Sequence, residues 1–198
     1  MGGRGDRAVQ PRAVTSTGLD EGPLAWNVAG LLADEPGADR HYAVDGAAID
    51  LGEDLRLAEP IGGRVRLLRT NRGILASADI HAALDLECSR CLREVVFPVD
   101  VRIEEEYLPA LDLATGRPLA TDDEPDVARL TDHHELDLET PVRDALILAE
   151  PIALLCRPDC PGLCVVCGLR LDEGNHDHPA DDIDPRLEAL RGFKPESG

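Results

Sequence analysis

Two stretches of the chain alternate apolar and polar residues at period two. Ile74, Ala76, Ala78, Ile80, Ala82, Leu84 and Leu86 make the first, and Val95, Phe97, Val99, Val101 and Ile103 the second. Alternation of that length predicts two long, half-buried strands, and the few residues between them leave room only for a hairpin. Cys88 and Cys91 therefore fall at or near its tip. Upstream, Leu24, Val28, Leu31 and Leu32 recur at helical spacing, which predicts a short amphipathic helix ending near Gly37. Residues 41–44 and 49–57 read as strands broken by Asp45, Gly46 and Gly52.

Downstream, Thr140 and Pro141 have the chemistry of a helix start, a capping hydroxyl before a proline. Val142, Ala145, Leu146 and Ala149 then share one apolar face, so a helix is expected over 141–150, with Pro151 to end it. Residues 152–155 should carry the chain in extended form to Cys156. Asp184 and Pro185, followed by Leu187 and Leu190, predict a short C-terminal helix. Residues 1–22 show no periodicity and read as a disordered tail. The expected class is α+β, an antiparallel β-rich core with a long hairpin, a few short helices and Cys-rich loops. The core would occupy 23–155, and a Cys/His segment with the C-terminal helix, 156–198, would pack on it.

Charge changes the picture most. There are 39 acidic against 20 basic side chains, a net charge of −19, and aromatics are only 3% of the chain. Such a surface repels phosphate backbones and offers few rings for bases to stack on, so little binding of free nucleic acid is expected. A basic protein is the better partner. Residues 110–140 carry nine Asp or Glu against two Arg, with two prolines and little periodicity, and 110–134 reads as a mobile acidic loop. His133 and His134 in it read as merely exposed. One window opposes this trend: residues 60–78 hold Arg64, Arg66, Arg69 and Arg72 and no acid. With turn chemistry at Asn71 to Gly73, those guanidinium groups would gather at a hairpin end, either to touch RNA or a carboxylate or to balance the acidic surface. No apolar run approaches the roughly 20 residues of a membrane span, so a cytoplasmic protein is expected.

Six cysteines in a reducing compartment are better metal ligands than disulfide partners. Cys88 and Cys91 are followed far downstream by Cys156, Cys160, Cys164 and Cys167, then by His176 and His178. Eight thiolate or imidazole ligands make two tetrahedral sets, and the ion they suit is structural zinc. The preferred partition puts Cys88, Cys91, Cys156 and Cys160 in one site and Cys164, Cys167, His176 and His178 in a second, local one. A competing partition joins only the two CxxC pairs, Cys88 and Cys91 with Cys164 and Cys167. The 72 residues between those pairs far exceed the roughly 15 to 20 of a compact zinc module. A thiol redox or metal-delivery role is the alternative, but a hairpin tip lacks the helix dipole that activates a redox CxxC. No catalytic motif stands elsewhere, and a fully ligated ion leaves no open position for chemistry.

The order of a hairpin with LECSRCL at its tip, EEEYLP, an acidic loop, AEPIALLC, CRPDCPGLCVVCG and IDPRLEAL resembles the YceD-like family, the large ribosomal RNA subunit accumulation proteins. The likeness spans roughly residues 24–193. It implies a non-enzymatic bacterial factor for assembly of the large ribosomal subunit, with a basic ribosomal protein or a precursor particle as partner. The commonest form of the motif often has a Cys pair where this chain has His176 and His178.

Overall fold

The structure is a computed structural model that describes residues 22–112, 115–119, 127–178 and 186. Most of the expected N-terminal tail and nearly all of the C-terminal helix lie outside the described residues. The elements run β1 (Ala25–Asn27), α1 (Ala29–Leu32), β2 (Asp39–Ala47), β3 (Arg56–Arg69), β4 (Ile74–Glu87), β5 (Glu94–Tyr107), β6 (Glu135–Asp137) and α2 (Glu139–Leu148). Strands β2 to β5 form one antiparallel meander in sequence order, and β1 pairs with β6 in a separate two-stranded ladder. The α+β expectation is met.

The two long alternating stretches are β4 and β5, and their register explains why both patterns were so regular. Ile74, Ala78, Ile80, Ala82, Leu84 and Leu86 stand directly opposite Tyr107, Ile103, Val101, Val99, Phe97 and Val95. Apart from Ala76, which stands opposite Glu105, each apolar residue of the pattern meets an apolar residue on the same face. That face is roofed by Leu24, Val28 and Leu31 from the N-terminal segment, by Leu136 and Leu138 around β6, and by Val142 and Leu146 from α2, all fully buried. Tyr107 fastens the roof: its hydroxyl donates to the Asp137 carbonyl at 2.7 Å. Gly73 closes the β3–β4 turn so near this point that a Cβ would lie 2.0 Å from the Tyr107 carbonyl oxygen, so only glycine fits.

Several expectations are corrected. The apolar spacing of Leu24, Val28, Leu31 and Leu32 marks buried positions, but residues 25–27 form a strand and the helix is a single turn. Pairing with β6, which lies more than a hundred residues away, overrides the local helical pattern there. Strand β2 runs through Asp45 and Gly46 by way of a register shift, while 49–55 is irregular and contributes Leu51 and Leu55 to the core. Helix α2 starts earlier than Thr140, after Leu138, and the Asp137 carboxylate rather than the Thr140 hydroxyl accepts the Glu139 N–H at 2.8 Å. Residues 152–153 form a turn rather than extended chain.

Described residues in and beside the acidic stretch make contacts that its composition does not suggest. Leu108 bridges Arg129, Leu111 bridges Pro118, and Leu130 is buried. Removing 110–134 would therefore take a core side chain with it. His133 and His134 lend their backbone carbonyls to Asn27 and Val28, and the His134 Nδ1 is buried without a partner. Exposure alone does not describe them.

Candidate metal centre

The tip of the β4–β5 hairpin and the chain after α2 meet at one end of the sheet. Cys88, Cys91, Cys156 and Cys160 form one group, and Cys164, Cys167, His176 and His178 a second, with the ligand atoms of each group all within 4.8 Å of one another. Cys88 and Cys91 are not grouped with Cys164 and Cys167, so the competing partition finds no support in the geometry. All six cysteines are free thiols.

Both CxxC pairs are built as the same knuckle. Cys88 N–H donates to the Arg93 carbonyl at 2.8 Å, and Leu92 N–H to the Cys88 carbonyl at 2.9 Å. In the second, Cys164 N–H donates to the Leu169 carbonyl at 2.7 Å, and Gly168 N–H to the Cys164 carbonyl at 2.8 Å. The residue after each second cysteine is left-handed, Leu92 at φ 55° and Gly168 at φ 72°. This winding turns backbone N–H groups toward the first sulfur of each pair. The Cys156 N–H, helped by those of Arg90 and Cys91, holds the Cys88 thiol down to about 6 against its burial. The N–H groups of Cys167 and Val166 do the same for Cys164, also to about 6. Burial instead pushes Cys156 up to about 12 and raises Cys160. Two thiolates are thus stabilised in advance, and Cys156 and Cys160 are thiols of the kind a bound cation would deprotonate.

The donor sets fit a tetrahedral ion. Four sulfurs bound at about 2.3 Å would stand about 3.8 Å apart, and a sulfur and an imidazole nitrogen about 3.6 Å. Cys88 and Cys160 are separated by 3.7 Å, as are Cys91 and Cys156. Cys167 Sγ lies 3.6 Å from His176 Nδ1. The other nitrogen of that ring faces two acceptors, the carbonyls of Arg170 at 2.8 Å and Glu173 at 2.9 Å. It must carry the proton, which leaves the Nδ1 lone pair for a metal. His178 Nε2 is buried with no hydrogen-bond partner, an orphan that a metal would satisfy.

Sequence reasoning missed the arginines that lock these loops together. Arg90 donates to the Cys160 carbonyl at 3.0 Å, and Ser89 N–H to the Leu154 carbonyl at 2.8 Å. Gly162, at φ +87°, passes close enough that a Cβ would lie 3.2 Å from the Arg90 carbonyl oxygen. Arg170 donates to the Cys91 carbonyl at 3.0 Å. Their signal in the sequence was position only, both lying within three residues of a cysteine.

The basic window is dispersed. Arg66 pairs with Asp39 at 2.8 Å, and Arg69 turns inward to donate to the Leu32 and Gly73 carbonyls. Arg72 lies in the turn, where its N–H donates to the Thr70 hydroxyl. Arg64 lies on the solvent face of the sheet in an open groove of about 510 Å³, with Asp79, His81, Asp100 and Arg102. The register puts Arg64, Asp79 and Arg102 in one cross-strand row, so the charges there alternate rather than accumulate. A guanidinium cluster at the hairpin end does not form, because two of the four serve the fold. On the same solvent face Asp85, Glu87, Glu94 and Glu104 are exposed, which gives β4 and β5 an acidic outer surface that the loop composition did not reveal.

A protein-family model, that of large ribosomal RNA subunit accumulation protein YceD, matches residues 76–194. The chain belongs to this family. The matched region begins in β4 and takes in all eight candidate ligands. Proteins of Mycobacterium tuberculosis and Mycobacterium bovis, described as uncharacterized, are 39% identical over 127 residues, 64% of this chain and 58% of theirs. A Mycobacterium leprae relative is 34% identical over 128 residues, 64% of this chain and 55% of its own. The match thus spans somewhat over half the length of these relatives. No solved structure matches the chain. Among the described residues, no helix is long and apolar enough to cross a membrane.

Proposed function

We propose that the protein is a non-enzymatic factor in the accumulation of large-subunit ribosomal RNA, with zinc as a structural ion in both Cys-containing groups and an acidic face that takes a basic ribosomal protein or precursor particle. Membership of the YceD family carries the ribosomal part of this reading. The metal part is supported by donor spacings near 3.7 Å and by complete four-ligand sets, which leave no vacant position for water. The folded unit would then comprise the sheet with its roof, clamped at one end by the Cys/His segment.

The net charge of −19 and the exposed carboxylates along β4 and β5 support a cationic partner. Contacts of this kind accelerate encounter and fade as salt screens them beyond about 8 Å at physiological ionic strength. Co-sedimentation with large-subunit precursors tests it. Replacing Asp79, Asp85, Asp100 and Glu104 by Lys should remove most of the bound fraction, whereas reversing Arg64 should not. Equal co-sedimentation of both variants with the parent at low salt would refute a charge-held partner.

A second reading, thiol redox or metal delivery, draws on the second group, where Cys167 is exposed and Cys164 sits at about 6. Alkylation separates the two readings. Structural zinc leaves all six thiols unreactive in the native protein, and a working redox or delivery site leaves Cys167 open to the reagent.

A further inference from the structure

The two donor groups are physically joined through one residue. Arg170 lies between the second knuckle and His176, and its side chain reaches back to the first knuckle, where Nε donates to the Cys91 carbonyl at 3.0 Å and Nη2 approaches the Leu92 carbonyl at 3.4 Å. Its own backbone carbonyl accepts the Nε2 proton of His176 at 2.8 Å. One residue thus holds the backbone of a ligand in the first group and fixes the tautomer of a ligand in the second. Around it Arg93 pairs with Asp172 and Glu173, and Arg157 with Asp172, so the turn after Arg170 is pinned to both arms of the first group.

We propose that Arg170 is a positioning residue that couples the two metal sites, so that zinc held by Cys164, Cys167, His176 and His178 raises the zinc affinity of Cys88, Cys91, Cys156 and Cys160. This rests on the structural-zinc reading. The second site is local, its ligands spanning only 164 to 178, so it orders its own loop at small entropic cost. Binding there fixes His176, and His176 fixes the Arg170 backbone. The guanidinium is then aimed at Cys91 and Leu92 before the distant arm of the first site has to close. The first site joins segments 65 residues apart, Cys91 to Cys156, and gains most from a tip that is already in place. Linkage makes the effect mutual: whatever the second site gives to the first, the first returns.

The test is titration of the full-length protein with Zn²⁺ against a chromophoric chelator, with Co²⁺ absorption to tell a four-sulfur site from a two-sulfur, two-nitrogen one. The parent should take two equivalents. Arg170→Ala, which keeps the backbone carbonyl, should still take two but bind at the four-sulfur site about tenfold more weakly, the low end of what loss of an outer-shell partner costs. His176→Ala should lose the mixed-ligand spectrum and weaken the four-sulfur site by a similar factor. The double variant decides the matter. If coupling runs through Arg170, it is no weaker at the four-sulfur site than His176→Ala alone. Factors that multiply, or a four-sulfur affinity identical in all four proteins, would overturn the coupling while leaving two zinc sites standing. A parent that takes fewer than two equivalents would instead remove the two-zinc reading beneath it. Far-UV circular dichroism of the sheet confirms that each variant is folded.

Discussion

The two ends of this molecule are held by different physics. Among the described residues, the sheet and its roof bury two dozen side chains in one continuous cluster from Leu24 to Leu146, all of them aliphatic except Tyr107. The Cys-containing end has a separate small cluster, Cys88, Cys91 and Cys160 with Val95, Leu155, Cys156 and Leu163 around them. Several of its other large apolar side chains face water: Ile152 and Val165 are almost fully exposed, and Leu169 is more than half exposed. Apolar burial of roughly 25 cal/mol per Å² can carry the first region and not the second. An irregular segment of this length, without a core of its own, needs cross-links, and the donor groups are where they would be.

Metal removal is the sharpest way to break that comparison. Excess chelator should melt residues 151–178 and the hairpin tip while β2 to β5 stay folded, because the two apolar clusters are separate. Hydrogen exchange read by mass spectrometry would show loss of protection confined to those segments. Global unfolding on chelation would mean the sheet depends on the metal end after all. Cys88→Ser should act in the same direction as chelation and more strongly than His176→Ala, since Cys88 joins segments 72 residues apart and His176 closes a short local loop.

The reverse test acts on the core. Leu67, fully buried on β3, should cost about 2 to 5 kcal/mol of global stability when replaced by Ala. Denaturant melts should register the loss, and zinc content by elemental analysis should remain that of the parent. A fall in zinc content with Leu67→Ala would join the two regions into one cooperative unit.

The same division explains what could be read in the sequence. The β4–β5 hairpin was legible because both strands bury one whole face, so every second residue reports its orientation. The two donor groups were legible because six thiols and two imidazoles stand at the short spacings that zinc ligands use. What escaped was set by contacts remote in the chain. Strands β1 and β6 are three residues each, too short for any period, and exist because Trp26 and Leu136 meet across the ladder. Arg69 carried the same charge as Arg64 in sequence, yet the fold spends it on backbone carbonyls. Arg170 looked like any arginine in a loop until its guanidinium was seen against Cys91.

The smallest expected effect compares the two knuckles with each other. They share the same pair of hydrogen bonds and the same left-handed residue, but one places Leu92 there, about half exposed, and the other Gly168. A left-handed conformation costs a non-glycine residue about 1 to 2 kcal/mol, while glycine costs more backbone entropy on folding, roughly 0.5 to 1 kcal/mol. Leu92→Gly should therefore raise stability by no more than about 1 kcal/mol, and Gly168→Ala should lower it by a similar amount. A Cβ at Gly168 would meet no atom within 4 Å, so that cost is backbone strain alone. Thermal melts of the zinc-loaded proteins would resolve both. If Leu92→Gly destabilises instead, the leucine side chain is contributing packing that outweighs its strain, and the first knuckle is held by more than hydrogen bonds and metal.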